Sequence, residues 1–198
     1  MKTGLLLLEM QNDYLAHGRR PLERSNDVIV NAQTVLQSFR SRQQPIIHVQ
    51  HIATQPDATF LLPCTKGAEF CTATQPAQGE IIIKKHYPNS FKDTALLNHL
   101  TKQNIRHLVI CGMTTHLTID ATVRAAYDLG LVCTVLQDAC TAHALTFNQT
   151  LVSEEHVHLA FLAALQSFYA NVLSTNAYLK IATTRQTAHS VELSLEVS

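Results

Sequence analysis

Short apolar runs recur along the chain, separated by longer stretches in which apolar residues return every three or four positions. The runs near 4–9, 45–49, 80–84, 106–111 and 131–136 predict strands, and a sixth is placed near 171–174. The longer stretches, near 25–43, 92–103, 117–129 and 153–168, carry the helical period. Ser25 and Ser153 stand where an N-cap is needed, and Gly130 stands where a helix would stop. Strands that alternate with helices predict an α/β domain. Its sheet is parallel and covered by helices on both faces, because each parallel return needs a crossover and buried strands need cover on both sides.

Two segments break this rhythm. Residues 50–79 contain three prolines and no periodicity, which in a compact domain suggests a functional loop that closes over a site. Beyond about 176 the text turns polar, as KIATTRQTAHS, and then alternates as VELSLEV. The expected organisation is one domain over 1–175. The remainder, 176–198, is expected as a tail that is disordered or packed on a partner subunit.

Composition narrows the picture. With 198 residues, 46% of them hydrophobic, the chain can bury a core without disulfides or metal. Basic and acidic residues balance at 15 each with no basic stripe, so the electrostatic footprint of a nucleic-acid or anionic-membrane partner is missing. A small molecule or another protein is the expected partner. The opening MKTGLLLLEMQNDY has an apolar run of only four leucines before a carboxylate, too short for a signal peptide or a span, so a cytoplasmic location is expected. Cys64, Cys71, Cys111, Cys133 and Cys140 form no C-x-x-C pair and are odd in number, which predicts reduced thiols. Cys111 and Cys133 sit in apolar runs as small hydrophobes, whereas Cys64 and Cys140 fall in or near loops.

In an open α/β sheet ligands bind at the carboxyl ends of the strands. Three residues there draw notice: Glu9 after the first strand, Lys85 after IIIK, and Thr118 where the loop CGMTTH enters a helix. Each has an ordinary reading as well. Glu9 can be a strand-end charge, Lys85 a solvated lysine, and Thr118 a helix cap. A first helical turn beneath a Gly-containing loop also offers free N–H groups and the positive end of the helix dipole. Converging there, a carboxylate and a lysine would complete the parts needed for acyl transfer.

Three segments carry a more specific signal. LLLLEMQNDY resembles the opening strand of the isochorismatase-like cysteine hydrolases. KKHYPNSFKDTAL resembles their lysine segment, and ICGMTTHLTIDATVRAAYDLG followed by VLQDACTA resembles their nucleophile segment. The similarity spans about residues 4–174. It implies a three-layer α-β-α sandwich with a mostly parallel six-stranded sheet and a catalytic Asp-Lys-Cys triad. Residue by residue these positions are Glu9, Lys85 and Thr118, so two of the three differ from the family. The resemblance also implies a cis peptide between Met113 and Thr114 that, with Thr118, shapes an oxyanion site. Asn12, Tyr14, Phe60, Asn89, Phe91 and His116 are the implied substrate-binding residues, with Phe60 in a lid and His116 orienting its loop through hydrogen bonds. A homodimer or homotetramer is implied too.

The substitutions bear on chemistry. An aliphatic hydroxyl stays protonated at neutral pH where a thiol ionises readily, and the threonine methyl crowds the reacting carbon. A longer carboxylate displaces the base, and ~1 Å of misplacement can cost on the order of 100-fold. Three readings follow: a hydrolase in which Glu9 protonates a vinyl ether while water attacks, an amidase or ureidohydrolase with Thr118 as a weak nucleophile, and a pseudoenzyme that binds a ligand or a protein without turnover.

Other sites are weighed against the same residues. The turn EMQNDYLAHG lacks G-x-G-x-x-G, which argues against a dinucleotide site. Family nicotinamidases bind zinc with an Asp-x-His after the second strand, but HVQHIATQPDATF has no Asp before His48 and His51, so these are expected to be solvated or hydrogen-bonded. His156 and His158 are spaced to face apart on a helix. No metal and no cofactor is expected.

Overall fold

A computed structural model of the chain describes residues 1–184. Six strands form one parallel sheet: β1 (Lys2–Leu8), β2 (Ile46–His51), β3 (Ile81–Lys85), β4 (Ile105–Met113), β5 (Val132–Thr141) and β8 (Asn171–Leu173), in the order β3-β2-β1-β4-β5-β8. The central strands are continuous apolar runs. Leu5, Leu6, Leu7 and Leu8 are all buried, as are Leu108, Val109, Ile110 and Cys111 of the neighbouring strand. Such strands can exist only between covering layers. Helices α1 (Ser25–Ser41), α2 (Leu96–Lys102), α3 (Asp120–Asp128) and α4 (Glu154–Phe168) supply them. The expected α/β architecture is therefore the observed one.

Several local expectations shift. Ser25 is the first helical residue of α1 and does not cap it, since Arg24 holds the capping position without a side-chain bond. Ser153 does cap α4, accepting from the His156 N–H. Gly130 ends α3 at φ +76°. Helix α2 begins four residues later than the pattern predicts, because Asp93 sits at φ +55° and the Thr94 hydroxyl donates to the Ser90 carbonyl. A hairpin, β6 (Leu145–Phe147) with β7 (Thr150–Val152), stands outside the main sheet where no element was expected.

Residues 175–184 are helical, and Tyr178 stacks on Phe39 of α1 with ring centroids 6.3 Å apart. The VELSLEV segment lies outside the described residues. Among those residues, no helix is long and apolar enough to cross a membrane.

One close approach shapes the carboxyl edge of the sheet. Gly112 pairs with Leu8 at φ +141°, and a Cβ there would strike the Leu8 backbone. Only glycine permits the ends of β1 and β4 to approach so closely. Those ends carry the residues of the site.

Candidate active site

Glu9 leaves β1 in a left-handed conformation, φ +53°, while its N–H still donates to the Val49 carbonyl of β2. For a residue with a Cβ this conformation is uncommon and costly, and such strain clusters at functional positions. The turn places the carboxylate in the interior, where Glu9 is only 2% exposed. Lys85 ends β3. The period of two in IIIKK turns Lys84 to solvent and Lys85 inward, where it is fully buried. Thr118 lies in a π-helical turn, Thr115–Ile119, between β4 and α3. The widened turn replaces the first α-helical turn that the pattern predicts, and such turns are frequent at functional sites.

These three side chains meet. The Thr118 hydroxyl donates to Glu9 Oε1 at 2.5 Å, and Lys85 Nζ reaches the same oxygen at 2.5 Å and Thr118 Oγ1 at 3.2 Å. The ammonium also donates to the carbonyls of Tyr87 and Pro88, at 2.8 and 3.1 Å. Tyr14 closes the other side of the carboxylate, its hydroxyl donating to Glu9 Oε2 at 2.8 Å. Burial pushes the Glu9 carboxyl up, but the Lys85 charge, His51 and the hydrogen bonds from Lys85 and Thr118 outweigh it and hold the group below its ordinary value. Burial and the Glu9 charge drive the Tyr14 phenol well above its own. At neutral pH the cluster is thus an ionised carboxylate with two hydroxyl donors.

Met113 and Thr114, both buried, are joined by a cis peptide. The Ile119 N–H donates to the Thr114 carbonyl at 3.0 Å, which fixes the turn beneath Thr118. On the lysine side, the Ser90 N–H donates to Thr122 Oγ1 at 3.1 Å and ties the loop after β3 to α3.

A sequence model of the Isochorismatase domain matches residues 3–177, nearly the whole described chain. The chain belongs to the isochorismatase family. It is 43% identical to the uncharacterized isochorismatase family protein YddQ of Bacillus subtilis over 180 residues, covering 91% of this chain and 100% of that one. An isochorismatase-family crystal structure from Oleispira antarctica superposes with a TM-score of 0.87 at 39% identity, covering 90% of this chain and 96% of that one. A shorter match, 31% over 108 residues, is to the ureidoacrylate amidohydrolase RutB of Cronobacter sakazakii, with 54% of this chain and 46% of that protein covered. The protein is an isochorismatase-family hydrolase by these likenesses.

The other residues singled out for this isochorismatase-family site fall into two groups. Tyr14 and Phe60 are together, with an edge-on ring contact at 6.0 Å, and Tyr14 touches Glu9 directly. Phe91 packs against the core. Asn12 ties the loop after β1 to the segment after β2, and Asn89 serves its own loop. The Asn12 amide donates to the Lys66 carbonyl, and Asn89 Oδ1 accepts from the Phe91 N–H at 2.9 Å, a side-chain turn. His116 is buried beside Phe161 and His143, and its Nδ1 has no hydrogen-bond partner.

Sequence reasoning passed over three neighbours. His51, weighed only for metal, lies 3.7 Å from Glu9 Oε1 and 3.5 Å from Lys85 Nζ. Burial lowers its pKa, with Glu9 opposing and Lys85 reinforcing that shift. Gln11 ties the end of β1 to β2, accepting from the His51 N–H at 2.8 Å and donating to the His51 carbonyl at 2.9 Å. Its place inside QND was the available signal. His143 follows β5 and carried none.

The remaining candidates resolve simply. His48 is hydrogen-bonded to Glu80 at 2.7 Å, and no group of three metal-ligating side chains forms among the described residues. Cys140 lies buried within β5, and burial pushes its thiol up to about 12. A 550 Å³ cleft bounded by Lys2, Arg40, Glu80 and His99 opens at the amino ends of the strands, opposite Glu9.

Proposed function

We propose that this chain hydrolyses the C–N bond of a small amide or ureide, with Thr118 as nucleophile, Glu9 as its base and Lys85 as the cation that positions both. The observation that carries the reading is the bond from the Thr118 hydroxyl to Glu9 Oε1, with Lys85 on both partners. A nucleophile and base within hydrogen-bond reach, oriented by a third group, is the arrangement covalent catalysis requires. The amidohydrolase activity in the name of the RutB relative supports the same bond class.

In the first step Thr118 Oγ bonds to the substrate carbonyl carbon while its proton passes to Glu9 Oε1. Collapse of the adduct expels the nitrogen, which leaves as the amine or ammonia with the proton from Glu9. Water, deprotonated by the same carboxylate, then cleaves the acyl-threonine ester and restores the hydroxyl. Lys85 offsets the negative charge of the carboxylate throughout.

Turnover should be slow, because a carboxylate held below its ordinary pKa is a weak base toward an alcohol. The complete hydrogen-bonded set nevertheless favours turnover over a ligand-binding relic. Ammonia release from a panel of ureido acids and primary amides tests the reading. Thr118→Ala should fall to background, and Thr118→Cys with Glu9→Asp should exceed the parent by about tenfold or more. Undiminished turnover by Thr118→Ala would refute the covalent route and point to water directed by Glu9.

A further inference from the structure

Beside the catalytic cluster lies a second group of side chains to which the proposed chemistry assigns no task. Four of them lie in segments that follow the carboxyl ends of strands: Tyr14 and the exposed Arg20 after β1, joined through the Phe60 ring that both contact, His116 after β4, and His143 after β5. The His143 ring lies 6.2 Å from the Tyr14 ring and 6.2 Å from the His116 ring. Because the Tyr14 hydroxyl bonds Glu9, this group is continuous with the carboxylate.

Its polar atoms are unspent. His116 is 7% exposed, yet its Nδ1 has no partner, and neither has the buried Nε2 of His143. A buried unpaired polar atom destabilises a fold unless a ligand completes it. Arg20 holds its guanidinium 5.1 Å from the Phe60 ring centroid and pairs with no carboxylate among the described residues. Asp13, in the same loop, commits its oxygens to the N–H groups of Arg19 and Leu61, at 3.1 and 2.6 Å. Burial, helped by Arg20, lowers both histidines, His143 to about 4, so at neutral pH each is an uncharged ring with one N–H.

We propose that Arg20, His116 and His143 form an anion subsite next to Glu9 and Thr118, and that it selects substrates bearing a carboxylate. A guanidinium offers a planar fork matched to carboxylate, and neutral imidazole N–H groups add donors without repelling it. The aromatic face of Phe60 backs the fork. A cation would be repelled by Arg20, and the neighbouring Glu9 charge is already offset by Lys85 at 2.5 Å, so an anion can approach. The substrate class rests on the hydrolase reading above; the subsite itself does not.

Calorimetry with N-carbamoylglycine and its neutral counterpart, N-carbamoylglycinamide, tests the proposal on the full chain with turnover silenced by Thr118→Ala. The carboxylate should bind about tenfold or more tightly than the amide, in keeping with a charged hydrogen bond. Arg20→Gln should erase that preference, and His143→Phe should weaken the carboxylate several-fold while keeping the ring. Equal affinities, no binding of either probe at millimolar concentration, or a preference that survives Arg20→Gln overturns the subsite. Release of glycine from the first probe and glycinamide from the second, both products of ureido cleavage by the unmodified chain, separates the two claims. Equal hydrolysis of both probes sinks the subsite and keeps the hydrolase, whereas tighter carboxylate binding with no release from either does the reverse.

Discussion

Lys85 and Glu9 form an ion pair with side-chain exposures of 0% and 3%, and its energetics can be tested with a double-mutant cycle. Lys85→Met deletes the cation and leaves the carboxylate with the two hydroxyl donors, Thr118 and Tyr14, and with His51 at 3.7 Å. Glu9→Gln leaves the ammonium with the carbonyls of Tyr87 and Pro88. Breaking a buried pair from one side costs about 3–5 kcal/mol, because one charge stays in the interior uncompensated. Retained partners put Lys85→Met and Glu9→Gln near ~3 kcal/mol each. The double variant contains no stranded charge, so its loss should fall short of the sum by about 1–3 kcal/mol. Urea denaturation at neutral pH measures all four corners. The pH dependence has a fixed sign. Glu9 is held below its ordinary 4.5, so its contribution is present above that value and lost as pH falls through the folded pKa. The deficit of Lys85→Met should accordingly shrink on acidification as Glu9 protonates. Losses that add to within about 0.5 kcal/mol would refute the coupling and with it the assigned role of Lys85.

Tyr14→Phe removes the donor to Glu9 Oε2 without changing the ring, and should raise the acid limb of the activity profile by about 1 pH unit, the equivalent of a hydrogen bond to a charged group. An unmoved limb would show that the phenol does not stabilise the carboxylate. Glu80, held at about 2 by Arg40, the Ala77 N–H and His48 against its own burial, stabilises the amino edge of the sheet above pH 4.5. Glu80→Gln should lose about 1–2 kcal/mol at neutral pH after allowance for solvent screening, and the gap should close as pH falls from 4.5 toward 2 in thermal melts. Gly112→Ala meets the Leu8 backbone at a strained φ and should cost at least ~3 kcal/mol, whereas a stable variant would mean that β1 and β4 can part.

Much of the fold was legible because its signals are local. Apolar runs mark the strands, and the alternation in IIIKK is enough to tell Lys85 from Lys84. The hairpin was not legible for equally physical reasons. Its strands have three residues each, all exposed, so no buried face imposes a pattern. Its turn is Asn148-Gln149, with φ of +47° and +64°, where the usual signal would be Asn-Gly. Likewise Asp93 at φ +55° delays α2 in a stretch whose composition reads as helix.

The site divides along the same line. Glu9, Lys85 and Thr118 stood at strand ends and in recognisable segments, but their ordinary readings could be separated from the catalytic one only by contacts across 109 and 33 positions of chain. A capping threonine would turn its hydroxyl to its own backbone. Thr118 turns it to Glu9, and the π-helical turn that carries it has the same composition as the helix it replaces. The longer glutamate that looked like a misplaced base also brings Oε2 to the Tyr14 hydroxyl, so Glu9, Tyr14 and Thr118 have to be read as one hydrogen-bonded unit. His143 shows the opposite limit. Nothing in AHALTF marks it, and its relevance arises solely from the rings and the unpartnered nitrogens that three separate loops bring together.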